Sequence, residues 1–314
     1  MNLNKSTLIQ LLKEKAISPR RSLGQNFMID PNFLRYIIKT AEVNPDDYIL
    51  EIGSGTGALT GFLTEQAKQV YSVEIDERLS RLAGDLLGTR PNLEIINKDI
   101  LDAGRQKLNP SVEKHLLSEV APAGRRGRET FGAGSATGRS PSELMKIPVL
   151  KIVSNLPYAS AIPIIISLLE SPLPISRMFL VVQLEIAQRL TAQPGTKEYG
   201  SYTVLVQTLS GIKLLRKIPP EVFWPKPKVF SALIEITPQK QSNLSSGEYL
   251  RLKETLKLLF QHRRKMVGSA YRSFNLSRGE WFDSLTRSGI SPQQRPEQIS
   301  RECFIKLVKN MNHG

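Results

Sequence analysis

Short apolar runs alternate with helically spaced apolar positions through most of the chain. Tyr48–Ile52 is one such run, and Gly53-Ser54-Gly55-Thr56-Gly57 breaks it. Leu59, Phe62, Leu63 and Ala67 then recur at helical spacing, and Val70–Val73 is apolar again. Runs of this length between turn residues read as strands, and apolar positions three or four apart read as one helix face. The same logic predicts a helix over Arg78–Leu87 and strands at Leu93–Ile96, Val149–Ser154 and Met178–Val182. Helices carry Ile162–Leu169, Gln183–Arg189 and Ser201–Leu209, and the last two strands are Ile212–Leu215 and Val229–Ile236. Upstream, Asp30 suits an N-cap and Pro31 a first helical position, with Phe33, Leu34, Ile37, Ile38 and Ala41 on one apolar face. Seven strands, the first five alternating with helices, predict an α/β fold with a doubly wound, mostly parallel sheet. The direction of the last strand is not legible in the pattern.

From Gln239 the strand signals stop. A polar linker, Gln239–Gly247, leads into helical segments over Tyr249–Phe260, Glu280–Arg287 and Pro296–Lys309. The expected organisation is an α/β domain over 1–238 and a small helical domain over 239–314. Residues 121–141 differ in kind, with five glycines, four arginines and a single acid, and read as a mobile basic insertion.

Charge changes the picture more than composition does. The formal net charge is +14 and the sequence pI ≈ 9.8. The segment from 239 to 314 holds 14 lysines and arginines against 6 acids, so most of the excess lies in the last quarter. Such a bias points to a polyanion, nucleic acid first, and Arg263, Arg264 and Lys265 are the central candidates for that contact. No uninterrupted apolar run approaches the ~18 residues of a membrane span. The N-terminal amphipathic stretch is interrupted by Lys13, Glu14 and Lys15, unlike a signal peptide, so a cytoplasmic location is expected. One cysteine, Cys303 in an apolar setting, excludes an internal disulfide, and His115, His262 and His313 form no metal-ligand pattern.

The glycine turn carries the first chemistry. Its position between a strand and a helix lets a ligand approach bare backbone. Glu74 follows Gly53 by 21 residues, where an acid ordinarily accepts from a ribose hydroxyl pair. The turn fits both a dinucleotide fingerprint and the loop of S-adenosylmethionine enzymes. Asp99 ends a further strand, where open α/β sheets bind ligands. The second chemistry is Asn155-Leu156-Pro157-Tyr158, at the end of another strand. The Asn155 side chain and the Leu156 carbonyl are acceptors suited to holding the two hydrogens of an adenine amine out of the ring plane. That geometry localises the amine lone pair, while Pro157 fixes the turn and Tyr158 offers a stacking face.

These stretches occur in one order with Gln25-Asn26-Phe27, Val73–Asp76 and the motif from Phe223 to Ser231. Together they resemble the ribosomal RNA adenine dimethyltransferases, especially the bacterial small-subunit type tied to kasugamycin sensitivity. The resemblance runs from about Arg20 to about Arg301, omitting the insertion. It implies a Rossmann-like, seven-stranded methyltransferase domain with S-adenosylmethionine as methyl donor. It implies that Asn26, the Met28 backbone, Gly53, Glu74, Asp99 and Asn155 hold that cofactor. Met28 stands where leucine is common. Asn155 to Tyr158 would serve the target adenosine, and Phe223 would line the far side of its pocket. The implied partner is small-subunit ribosomal RNA or its precursor particle, with the enzyme acting as a monomer.

Relatives that methylate large-subunit RNA share most of these motifs but tend to carry isoleucine at the place of Leu156. A nicotinamide-dependent dehydrogenase would use the same glycine turn, but it leaves the charge unexplained. A non-catalytic ribosome assembly factor would explain the charge without needing the Asn155–Tyr158 tetrapeptide.

Overall fold

The computed structural model describes residues 5–20, 23–120, 149–239 and 244–311. The basic stretch at 121–141 lies outside them. In chain order the elements begin with α1 (Lys5–Glu14), β1 (Phe27–Met28), α2 (Pro31–Thr40), β2 (Tyr48–Ile52), α3 (Ala58–Thr64) and β3 (Gln69–Glu74). They continue with α4 (Glu77–Leu87), β4 (Leu93–Asn97), α5 (Pro110–Val120), β5 (Leu150–Asn155), α6 (Ala161–Glu170) and β6 (Ile175–Gln183). Then come α7 (Leu184–Leu190), α8 (Ser201–Leu209), β7 (Ser210–Ile218), β8 (Phe223–Trp224) and β9 (Ser231–Pro238). Helices α9 (Ser246–Gln261), α10 (Arg278–Arg287) and α11 (Arg301–Asn310) complete the order.

Seven strands fall in the order β4-β3-β2-β5-β6-β9-β7. Neighbours among the first five are parallel, and β7 and β9 are antiparallel, which settles the direction the pattern left open. The chain divides into two compact units, Met1–Val181 with Pro219–Lys228, and Val182–Ile218 with Val229–Gly314.

In the first unit the chain runs outward from β2 through β3 to β4, then returns to lay β5 on the other side of β2. That reversal is the switch point at which doubly wound sheets open a crevice. The β2–β5 ladder pairs Tyr48 with Leu150, Ile49 with Lys151 and Leu50 with Ile152. Beyond Ile152 a side chain takes over. The buried Ser154 hydroxyl donates to the Ile52 carbonyl (2.6 Å) and accepts from the Ile52 N–H (3.3 Å). A hydroxyl wedged between strands satisfies the Ile52 backbone while the strands part, and the crevice starts there. On the floor, Ile49, Leu50, Val70, Ile152, Val153 and Leu180 are fully buried, as expected of parallel strands covered on both faces. Helix α2 starts as expected, with the Asp30 carboxylate accepting from Asn32 and Phe33. The two-residue ribbon β1–β8 pairs Phe27 with Trp224 and Met28 with Phe223.

An apolar core joins distant parts of the second unit. Trp281, Phe304, Leu252 and Leu256 of the C-terminal helices share it with Tyr199, Val204 and Leu205, so the segment after 239 does not enclose a core by itself. Helices α9 and α10 both start at a capping box, Ser245 with Glu248 and Ser277 with Glu280. The single helix expected over Pro296–Lys309 is split. Pro296–Gln298 is a 3-10 turn, Ile299 is extended, and the Ser300 hydroxyl accepts from Cys303 N–H (3.3 Å) to start α11. The Ile299 carbonyl is spent on the buried Tyr199 hydroxyl (3.0 Å), so it does not serve a continuing helix.

Beneath the glycine turn lies Glu51, 1 % exposed. One carboxylate oxygen accepts from Thr60 of α3 (2.6 Å) and Ser72 of β3 (2.8 Å), joining three elements. Burial pushes this carboxyl up from its ordinary value of 4.5 to about 7, although both hydroxyls pull it back. Between those values the folded protein keeps a proton that the unfolded chain has released. Stability therefore falls as pH rises through that window, by on the order of 3 kcal/mol in all. Glu51→Gln keeps an acceptor for both hydroxyls and has no charge to desolvate. Denaturant melts at pH 5 and pH 8 should show the variant losing this slope and exceeding the parent at pH 8. An unaltered slope would assign the pH dependence to other groups.

Candidate active site

The crevice at the carboxyl ends of β2 and β5 holds a cavity of ≈ 320 Å³. Its floor is the glycine turn. Gly53 has φ +84°, and a Cβ added there would point within 3.8 Å of the Asn155 carbonyl across the switch point. At Gly55, φ +55°, a Cβ would meet the Phe27 ring at 3.0 Å, so a larger residue would be strained in the turn and would push on the strap above it.

At the end of β3, Glu74 is buried, and its carboxylate accepts from the N–H groups of Gly55 and Asp76, each at 2.9 Å. Burial raises its pKa, and those two backbone donors oppose the rise. Asp76, two residues on, behaves in the opposite way. The Arg78 guanidinium holds it in a fork at 3.1 and 2.8 Å, and Gln25 adds a bond at 3.2 Å. Its pKa is lowered to about 2, chiefly by Arg78. Through Gln25, Asp76 also anchors the strap that carries Asn26, Phe27 and Met28 over the turn.

Asn155 closes β5 against that strap. Its side-chain nitrogen donates to the Asn26 carbonyl (2.9 Å), and Asn26 in turn donates to the Gly24 carbonyl (3.1 Å). With the nitrogen so held, the amide orientation is set, and Oδ1 is buried with no hydrogen-bond partner. A buried acceptor without a partner is costly, and this one stands at the cavity wall with its lone pairs available to a ligand. Leu156 is buried and its N–H donates to the Val181 carbonyl (3.0 Å). Pro157 precedes a 3-10 turn over Tyr158–Ser160. Asp99 uses one oxygen for the Leu101 N–H and the other for Arg105, each at 3.0 Å.

The cavity wall thus brings together Asn26, Met28, Gly53, Glu74, Asp99, Asn155, Leu156, Pro157 and Tyr158, nine positions drawn from five separate stretches of sequence. Phe223 does not line it; the residue is 2 % exposed on β8, opposite Met28. In the second unit Arg263 is half-buried, paired with Glu297 at 3.2 Å and donating to the Lys197 carbonyl at 2.7 Å, while Arg264 and Lys265 are exposed. Gln25, Ser154 and Arg105 gave no separate signal as site residues. Gln25 alone had one within reach, its place beside Asn26 in the motif.

S-adenosylmethionine fits this wall. Its lining runs from bare glycine backbone after β2, past the buried Glu74 at the end of β3, to the half-buried Asp99 beyond β4, a set of donors and acceptors suited to a nucleoside. Among the described residues no group of three or more His, Cys, Asp or Glu is placed to hold a metal, and no helix is long and apolar enough to cross a membrane.

The comparisons with known proteins agree with this chemistry. A ribosomal RNA small subunit methyltransferase A from Pediococcus pentosaceus is 35% identical over 301 residues, covering 95% of this chain and 91% of its own. The protein of the same name from Moorella thermoacetica is 31% identical, covering 97% and 96%. Among solved structures, the 23S rRNA methyltransferase ErmE aligns with a TM-score of 0.59 at 25% identity, over 91% of this chain and 99% of that one. A dimethyladenosine transferase from Plasmodium falciparum shares the fold, with a TM-score of 0.65 at 21% identity over 90% and 95%. The profile described as ribosomal RNA adenine dimethylase matches residues 17–313. On this match, which spans nearly its whole length, the chain belongs to the ribosomal RNA adenine dimethylase family, whose members take their methyl groups from S-adenosylmethionine.

Proposed function

We propose that this chain dimethylates the exocyclic amines of adenosines, two adjacent ones, in small-subunit ribosomal RNA during ribosome biogenesis. The observation that carries the reading is the Asn155 carboxamide, fixed through its nitrogen and left with a buried, unpartnered oxygen beside the cavity. The bound cofactor supplies a methyl group on a sulfonium. The protein's own part is to bind, orient and exclude water. Glu74 grips the ribose, Asp99 accepts from the cofactor adenine, and Gly53 admits the methionine portion. In the first transfer Asn155 Oδ1 and the Leu156 carbonyl would each accept a hydrogen bond from the target amine, turning its lone pair toward the methyl group; in the second, one acceptor holds the remaining N–H, and the proton released each time passes to solvent. No strong base is needed before transfer. Tyr158 stacks on the target base, which has to leave its RNA stack to reach the site.

The small-subunit target is supported by the names of the relatives that match across nearly the whole chain, and by Leu156. The substrate we envisage is the precursor small-subunit particle, met by a monomer in the cytoplasm. The basic helical segment after 239 would contact phosphates through Arg264 and Lys265. Arg263, spent on internal acceptors, would support that surface from beneath.

Removing the ribose acceptor with Glu74→Ala should weaken S-adenosylmethionine binding by ~1.5–3 kcal/mol in calorimetry. Unchanged affinity would end that assignment. Some thermal stability should go with it, because Gly55 and Asp76 lose an acceptor.

Asn155→Ala should slow single-turnover methyl transfer to unmethylated small subunits about a hundred- to a thousandfold, the ~2.7–4 kcal/mol of a preorganised group. Tyr158→Ala should lose ~1–3 kcal/mol of base capture and Tyr158→Phe little. A near-parental rate for Asn155→Ala would reduce that residue to a turn former.

Replacing Arg264 and Lys265 together by alanine should lower the salt dependence of particle binding and leave cofactor affinity in place. If the salt slope stays the same, these two side chains form only a solvated face.

A further inference from the structure

The chain between β4 and α5 closes into a short loop. Leu101 and Leu108 form an isolated antiparallel bridge, and Asp102 Oδ1 accepts from the N–H groups of Gln106 (2.9 Å) and Lys107 (3.3 Å). The Ser167 hydroxyl of α6 donates to the Gln106 carbonyl (3.1 Å) and ties the loop down. At its tip Arg105 has φ +52°, the left-handed region that a residue with a Cβ enters only at a cost. A glycine sits next to it in sequence, yet the arginine occupies the strained place. Its guanidinium forks: Nη1 donates to Asp99 Oδ2 at 3.0 Å and Nη2 to Ser160 Oγ at 3.2 Å.

Ser160 gives an independent observation. It is the N-cap of α6, where a serine hydroxyl ordinarily accepts a helix N–H, but its side chain makes no capping bond. The third helical residue, Pro163, has no N–H to offer. The hydroxyl serves Arg105 instead. A left-handed arginine and a serine hydroxyl that the helix does not use thus meet in one bridge. The Arg105 side chain is 53% exposed, and an ion pair in that setting adds little to stability, so stability does not account for the arrangement.

Both ends of the bridge lie on the cavity wall. Asp99 is at the nucleoside end, and Ser160 is the last residue of the turn that starts at Tyr158. We propose that Arg105 is a positioning residue that couples the two halves of the site. A cofactor adenine held at Asp99 fixes, through the fork, the turn that receives the target base. The inference rests on the methyl-transfer reading of this cavity given above. It requires a planar fork, because a lysine ammonium is a point charge that does not span both partners with the same geometry. It is also reciprocal: whatever factor the cofactor adds to RNA affinity, RNA adds to cofactor affinity.

The test uses the full chain, unmethylated small subunits, and S-adenosylhomocysteine as a ligand that cannot donate a methyl group. The dissociation constant for subunits is measured with and without saturating S-adenosylhomocysteine, and that of S-adenosylhomocysteine is measured alone. The parent should bind subunits at least about fivefold more tightly when the nucleoside is present. Ser160→Ala should reduce that ratio below twofold while its affinity for S-adenosylhomocysteine alone stays within twofold of the parent. Arg105→Lys, which keeps a cation beside Asp99, should likewise bring the ratio below twofold. Retention of the full ratio in both variants, or a ratio of one in the parent, overturns the coupling. A parent that does not bind S-adenosylhomocysteine at all overturns the cofactor reading along with it.

Discussion

Two parallel strands that part at their carboxyl ends are the constraint on which the rest depends. Parallel neighbours normally exchange backbone hydrogen bonds along their whole length, and a crevice between them leaves donors and acceptors orphaned. In this protein one serine hydroxyl resolves the conflict. Ser154 serves both backbone groups of Ile52, so β2 and β5 separate without a buried unsatisfied amide. The glycine turn and the Asn155 turn then leave the sheet on opposite sides of the gap, and their backbones face each other across it.

Three acids crowd the ends of β2 and β3, and each is given a different environment. Glu51 is sealed with two hydroxyls and carries its proton near neutrality. Asp76 is forked by arginine and stays ionised well into acid. Glu74, between them, is buried but faces the cavity and accepts from two backbone N–H groups. Three like charges so close would repel. A protonated Glu51 and an arginine-paired Asp76 reduce the repulsion on Glu74, whose carboxylate borders the cavity.

Legibility in the sequence followed the range over which each cause acts. The β2-α3-β3 unit, the Asp30 cap and the Asn155 turn are set by neighbours within a few residues, and the pattern of the chain shows them. The break at Ile299 was hidden, because the phenol that takes its carbonyl belongs to Tyr199, a hundred positions earlier. Arg263 looked like part of a basic surface for the same reason: its partners, Glu297 and Lys197, are remote in sequence. Helix α5 gave no clear periodic signal, and the two-residue ribbon β1–β8 is too short to have one. Within the site, nine positions of the cavity wall stand in motifs, whereas Arg105 and Ser160 line it without belonging to one. The residues that hold those nine in place could not be named from motifs, since Ser154 and Arg105 are ordinary residue types until the fold brings their partners near.

The strap over the glycine turn has a consequence for the order in which the molecule is made. Asn26 orients Asn155, and the adjoining β1 is held by β8, whose residues are synthesised almost two hundred positions later. During translation the β2-α3-β3 half emerges early and already carries the cofactor loop. Its strap has no strand to pair with until Trp224 clears the ribosome. The seating of the strap over the glycine turn and against Asn155 therefore waits on β8, and a polypeptide stalled before Trp224 has the glycine turn and Glu74 without the ladder that holds the strap.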